Sequence, residues 1–186
     1  MNIHSFISTS TLTALVLSCN SYAQEVEGNS QFFTKMYAGF CMKNINDFEA
    51  LRTKLVNSKL PKFPPDQAKN FLHGKVGDAW PVPHQGQMGN FVLALPIGFC
   101  TLQVRRANQA DIERQFIQLV GSAPAPLIAK KTVDNWNETG ANGKTHIISY
   151  TWSSPNAMRK MQFTLTTASS ENAELQVFAS TAMVKE

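Results

Sequence analysis

The chain has few cysteines, few histidines and little charge: three cysteines, four histidines and 16% charged residues in 186. A quarter or so charged is usual for globular proteins, and this scarcity, beside 43% hydrophobic residues, excludes a solvated, disordered chain. No stretch is apolar for long enough to span a bilayer as a helix. Gly86 and Gly89 flank Gln-Met, a spacing that fits neither a dinucleotide loop nor a P-loop, and there is no Gly-x-Ser-x-Gly elbow. No histidine pair stands at i, i+4, so a helical metal site has no ligands. His73, Asp78 and His84 come nearest to a ligand set and read as two loop histidines and a solvated acid. No metal or cofactor is implied. The net charge of +4 is spread along the chain, with Arg105-Arg106, Lys130-Lys131 and Arg159-Lys160 as the basic doublets. A nucleic-acid footprint is a denser stripe. Internal repeats, heptads and low-complexity tracts are also missing.

What is present begins with an export signal over residues 1–23. Residues 5–18 are mildly apolar, and Ser21-Tyr22-Ala23 before Gln24 makes a small-x-small cleavage site, although the segment before the apolar run has His4 and no Lys or Arg. A rival reading takes Val16-Leu17-Ser18-Cys19 as a lipobox, with Cys19 lipidated as a membrane anchor; Leu17 stands where Ala, Ser or Thr is favoured. Cleavage after Ala23 leaves residues 24–186 as a single domain, long enough to bury a core without metals or many staples. Cys41 and Cys100 are then an even pair in an oxidising compartment, read as a disulfide closing a loop of about 60 residues, which the chain-entropy model values at roughly 4 kcal/mol. Two separate buried thiols are the alternative.

The expected fold is α+β: an N-terminal helical hairpin, then an antiparallel sheet of about six strands with one helix inserted after the first β-hairpin. Phe32, Phe33, Met36, Tyr37 and Phe40 recur at helical spacing, with Cys41 beside them. Asn46 caps a second helix with Glu49 at N3, and Phe48, Leu51 and Leu55 form its buried side. Residues 60–65 are a proline connector and 66–73 a short helix. Residues 76–90, VGDAWPVPHQGQMGN, form the longest irregular segment, and such loops are often functional. Residues 91–95 and 100–104 are the first hairpin, turning at Pro96-Ile97-Gly98. Asn108 caps the inserted helix and Gly121 ends it, with Ile112, Phe116, Leu119 and Val120 as its core stripe. Residues 127–135, 144–152, 159–167 and 174–184 alternate as strands of a meander. Its dry face should lie under the inserted helix and the N-terminal pair.

With no catalytic motif, recognition is the function that remains. Trp80 and His84 in the long loop, and Trp136 near the Asn142-Gly143 hairpin tip, are the expected partner-binding residues, because tryptophan is enriched at interface hot spots. Each of these tryptophans has the alternative of plugging the core, and for Trp152 the core is the expectation. A thiolate hydrolase would need Cys41 or Cys100 activated by a histidine, and neither has a basic setting that would lower its pKa.

Phe40-Cys41, Trp80, Gly98-Phe99-Cys100, Tyr150-x-Trp152 and Phe163-x-Leu165 together resemble a family of small uncharacterised secreted or lipoprotein-type proteins of Gram-negative bacteria. The resemblance implies a periplasmic home and carries no catalytic residues. The function expected is therefore a non-enzymatic periplasmic domain that binds another protein, such as an immunity or inhibitor protein against an envelope-acting toxin. The alternative is a small-ligand or lipid carrier of the cell envelope, with its cavity between the helices and the dry face of the sheet. A cysteine-dependent hydrolase comes third.

Overall fold

The computed structural model describes residues 28–140 and 142–185. The expected leader, its cleavage site and Cys19 lie outside them. Helix α1 (Asn29–Met36) runs on into a π-helical segment, Tyr37–Met42, and is followed by α2 (Phe48–Asn57) and the short α3 (Pro65–Ala68). Strands β1 (Gly77–His84), β2 (Gln87–Pro96) and β3 (Phe99–Val104) precede α4 (Gln109–Val120), and β4 (Ile128–Thr139), β5 (Gly143–Ser153), β6 (Arg159–Ala168) and β7 (Val177–Lys185) complete the chain. All seven strands form one antiparallel sheet in the order β1-β2-β3-β7-β6-β5-β4.

The expected six strands become seven because residues 76–90 are not irregular. They hold β1, the turn at Gln85-Gly86 and the start of β2. Pro81 and Pro83 argue for a loop, yet β1 is a sheet edge, where a missing N–H on the outer side breaks no ladder. Gly77 opens this strand against Leu95 and Pro96 at a distance that leaves no room for a methyl. The β2–β3 turn narrows to Ile97-Gly98, with Gly98 at φ +87°. The helical expectations also shift. Asp47, not Asn46, caps α2 by accepting from Ala50 N at 2.8 Å. The buried line of the first helix is Phe33, Tyr37 and Cys41, spaced by four, with Phe32, Met36 and Phe40 at its margin. Helix α1 packs on α4 rather than α2, so the two N-terminal helices are not a packed hairpin.

One face of the sheet carries the main core. Trp80, Leu93, Leu102, Ala179, Leu165 and Ile148 follow one another across six strands in pairing register. Against this row pack Phe33 and Tyr37, together with Ile112, Phe116 and Val120 of α4. Asn108 caps α4 by accepting from Asp111 N at 3.0 Å. A smaller cluster on the opposite face joins Ala79, Val92 and Ala94 to Ala68 and Leu72.

Two ties on adjacent strands fasten the π-helical segment to the sheet. Cys41 and Cys100 form a disulfide with Cα atoms 5.3 Å apart, linking it to β3. Thr181 of β7, the register partner of Cys100, donates to the Tyr37 phenol at 2.6 Å, and the phenol donates to Ser180 O at 2.7 Å. Burial pushes the Tyr37 phenol well above its ordinary value, against the smaller opposing effect of the Thr181 bond. Tyr37→Phe leaves a buried hydroxyl and carbonyl short of a partner, and should lower the unfolding free energy by about 1–3 kcal/mol in urea denaturation.

Arg52 of α2 fastens a second corner. Its guanidinium donates to Asp78 Oδ2, to Glu49 and to Leu95 O at 2.8 Å, while Lys62 donates to Asp78 Oδ1 at 2.8 Å. Partial burial raises the Asp78 carboxyl, but the bonds from Lys62 and Arg52 outweigh it and hold the group below its ordinary value of 3.8. A depressed folded value means the unfolded chain takes the proton first. The stabilisation is therefore complete above pH 3.8 and lost as pH falls below it. Asp78→Asn should cost about 1–3 kcal/mol at pH 7. The gap between the variant and the parent should close in urea titrations carried toward pH 2.5; a gap of constant size would show that the carboxylate contributes nothing.

Candidate functional site

The register row next to the core row changes character as it crosses the sheet. Val82, Phe91, Val104 and Val177 are apolar, and the row then continues through Thr167 and His146 to Trp136 on edge strand β4. His146 is almost buried, with a side chain 8% exposed. Its Nε2 lies 2.8 Å from Asp134 Oδ1. Its Nδ1 lies 3.0 Å from Glu113 Oε2 of α4, close but off the line of a hydrogen bond, so that Nδ1 is buried without an aligned partner. Both nitrogens face carboxylates, but only Nε2 does so in hydrogen-bond geometry. Glu113 is itself held, because Gln109 Nε2 donates to its Oε1 at 2.9 Å and Thr167 Oγ1 donates to the same oxygen. Asp134 is exposed. The bond from Lys131, then that from His146, holds its carboxyl below the ordinary value.

Trp136 lies flat on His146, with ring centroids 3.8 Å apart and planes within 10°. Lys144 Nζ approaches the indole to 4.5 Å of its centroid. Cross-strand pairing supplies this geometry: Trp136 is opposite His146, and Lys144 is opposite Glu138. The indole is thus fixed by a cation and an aromatic ring while 49% of it faces solvent. It forms one wall of an open cleft of about 470 Å³, whose other walls are the start of α4 (Gln109, Glu113) and the β6–β7 loop (Ser169, Glu171, Gln176). That loop is fastened to the β3–α4 connection, since Gln176 Oε1 accepts from Ala107 N at 3.1 Å. Recognition of a polar or cationic group suits a cleft with one rigid aromatic, two carboxylates and the three amides of Asn108, Gln109 and Gln176.

The three expected partner-binding residues do not converge. Trp80 is 1% exposed and belongs to the core, so it has no surface to offer; the core alternative is the one realised. His84 stands on the opposite sheet edge from Trp136, stacked on Phe32 at 4.0 Å and edge-on to Phe91 at 5.3 Å. Six strand spacings, about 29 Å, separate the two edges. Trp152 is tied to the core as expected, edge-on to Phe163 and donating to Val120 O at 2.7 Å. His73, Asp78 and His84 also part company: His73 lies against Phe178, Asp78 against Arg52 and Lys62, and His84 against Phe32. Cys41 and Cys100 are bonded to each other, which leaves neither sulfur as a thiolate. Glu113, Asp134 and His146 were missed, because the three come from α4, β4 and β5 and meet only in the folded sheet. The carrier's expected space, between helices and sheet, is filled by Phe33, Tyr37 and Phe116.

Comparison with protein-family models, with curated proteins and with solved structures finds no match to this chain. These comparisons assign it no family and no function. The disulfide fits an oxidising compartment, and among the described residues no helix is long and apolar enough to cross a membrane.

Proposed function

We propose that the chain is a periplasmic, non-enzymatic domain that binds another protein through the Trp136 cleft, and that its concrete form is an immunity or inhibitor protein against an envelope-acting toxin. The observation that carries this is the half-exposed indole, held in one orientation by His146 and Lys144 at the mouth of a cleft. A large aromatic already immobilised loses little freedom on binding, which is what makes such residues hot spots. The export signal in the sequence and the Cys41–Cys100 bond support the compartment. The toxin-neutralising form rests on analogy with other small, exported, disulfide-stapled proteins without catalytic motifs.

The test is capture from an envelope extract with tagged parent protein and tagged Trp136→Ala. A protein held by the parent and weakened by 2 kcal/mol or so, about thirty-fold, in the variant is the expected result. Equal capture by both would remove Trp136 from the interface, and an empty parent lane would remove the protein-binding function.

A further inference from the structure

We propose a second site, a cleft for a single-chain amphiphile with an anionic head group, on the face of the sheet opposite the main core. The basic excess of the chain is not spread along it, as the doublets suggest. Residues 52–75 contain Arg52 and five lysines against Asp66 alone, a net +5, larger than the +4 of the entire chain. The second half of this segment, from Lys62 on, lines one open cleft of about 440 Å³ and brings three of the five lysines to it. Its apolar lining includes Phe63, Ala68, Leu72 and Val76. Below it lies the smaller hydrophobic cluster, and Phe63 and Phe71 stack at 5.0 Å beside it.

Lys62, Lys69 and Lys75 line the same cleft, with Asp78 as its acid. Lys62 is spent on Asp78 at 2.8 Å, whereas Lys69 and Lys75 have no ion-pair partner among the described residues. Val76 lines the same cleft 76% exposed, an apolar side chain in water next to Lys75 in the chain. An aliphatic tail lying on Phe63, Leu72 and Val76 covers that surface, and a carboxylate or phosphate head meets Lys69 and Lys75. The volume is at the small end of ligand pockets, which suits one chain rather than two. The cleft shares no residue with the Trp136 site, so either stands if the other falls.

The same chemistry reaches the protein from monomeric amphiphiles or from an anionic bilayer, and the proposal commits to the monomer. Laurate below its micelle threshold should shift the NMR signals of Phe63, Leu72 and Val76 saturably. Butyrate, which has the head without the tail, and dodecyl maltoside, which has the tail without the charge, should bind about ten-fold more weakly or worse. Lys69→Gln/Lys75→Gln should weaken laurate about ten-fold with an unchanged melting temperature, since both side chains are exposed. Val76→Glu, another exposed position, should weaken it as well and serves if the double variant fails to fold. No shift at the cleft, equal binding of maltoside, or undiminished binding by the variants overturns the proposal. So does binding to phosphatidylglycerol vesicles without binding of monomeric laurate.

Discussion

Trp80→Ala should lower the unfolding free energy by about 3–5 kcal/mol, the range for removing a buried aromatic from a packed core. Trp136→Ala should lower it by about 1 kcal/mol or less, the value of one aromatic stack on the surface. The difference follows from position. Trp80 is 1% exposed, in the row of core residues that crosses the sheet, while Trp136 ends the neighbouring row with half its surface in water. Paired urea denaturation curves decide the matter. A small effect at Trp136 leaves its indole free for a partner, and the capture experiment then reads binding alone. Equal losses for the two variants would make Trp136 a structural residue and leave the proposed interface without its anchor.

Replacing both cysteines, Cys41→Ala/Cys100→Ala, should cost about 4 kcal/mol and lower the melting temperature by roughly 8–16 °C. The bond closes a loop across 59 positions, so its loss returns considerable freedom to the unfolded chain. It also removes the covalent half of a double tie. Tyr37, one helical turn before Cys41, holds Thr181 and Ser180 on the strand beside Cys100. The remaining hydrogen bonds keep the segment in place, so the double variant should fold to the same sheet at lower temperature. A melting temperature within 2 °C or so of the parent would show that the sulfur bridge is incidental to the fold.

The elements with strong local signals were legible in the sequence. Asn108, the Ile112–Phe116–Val120 stripe and Gly121 define α4 without tertiary help, and the structure keeps that cap and that stripe. The pairing of Cys41 with Cys100 followed from the even count left once Cys19 is assigned to the expected leader. β1 was hidden because proline at Pro81 and Pro83 reads as a break, and only the place of β1 at the sheet edge makes it tolerable. The Glu113–His146–Asp134 group has no local pattern at all. The alternation in residues 127–135 and 144–152 came near it, but the strands run on to Thr139 and start at Gly143, so the turn lies between those two rather than at Asn142-Gly143, and only that register sets Trp136 opposite His146. The basic segment 52–75 was legible too, but doublets are the wrong unit for single lysines such as Lys62, Lys69 and Lys75, which a connector brings to one cleft.

The covalent tie between the π-helical segment and β3 is the feature on which both the proposed compartment and the removal of Cys41 and Cys100 as nucleophiles depend. It is tested by alkylating the protein, denatured and unreduced, as recovered from the cells that make it, and counting blocked thiols at each cysteine by mass spectrometry. Both Cys41 and Cys100 should escape alkylation and react only after reduction. Alkylation of the two without reductant would contradict the account, returning Cys41 and Cys100 to the list of available nucleophiles.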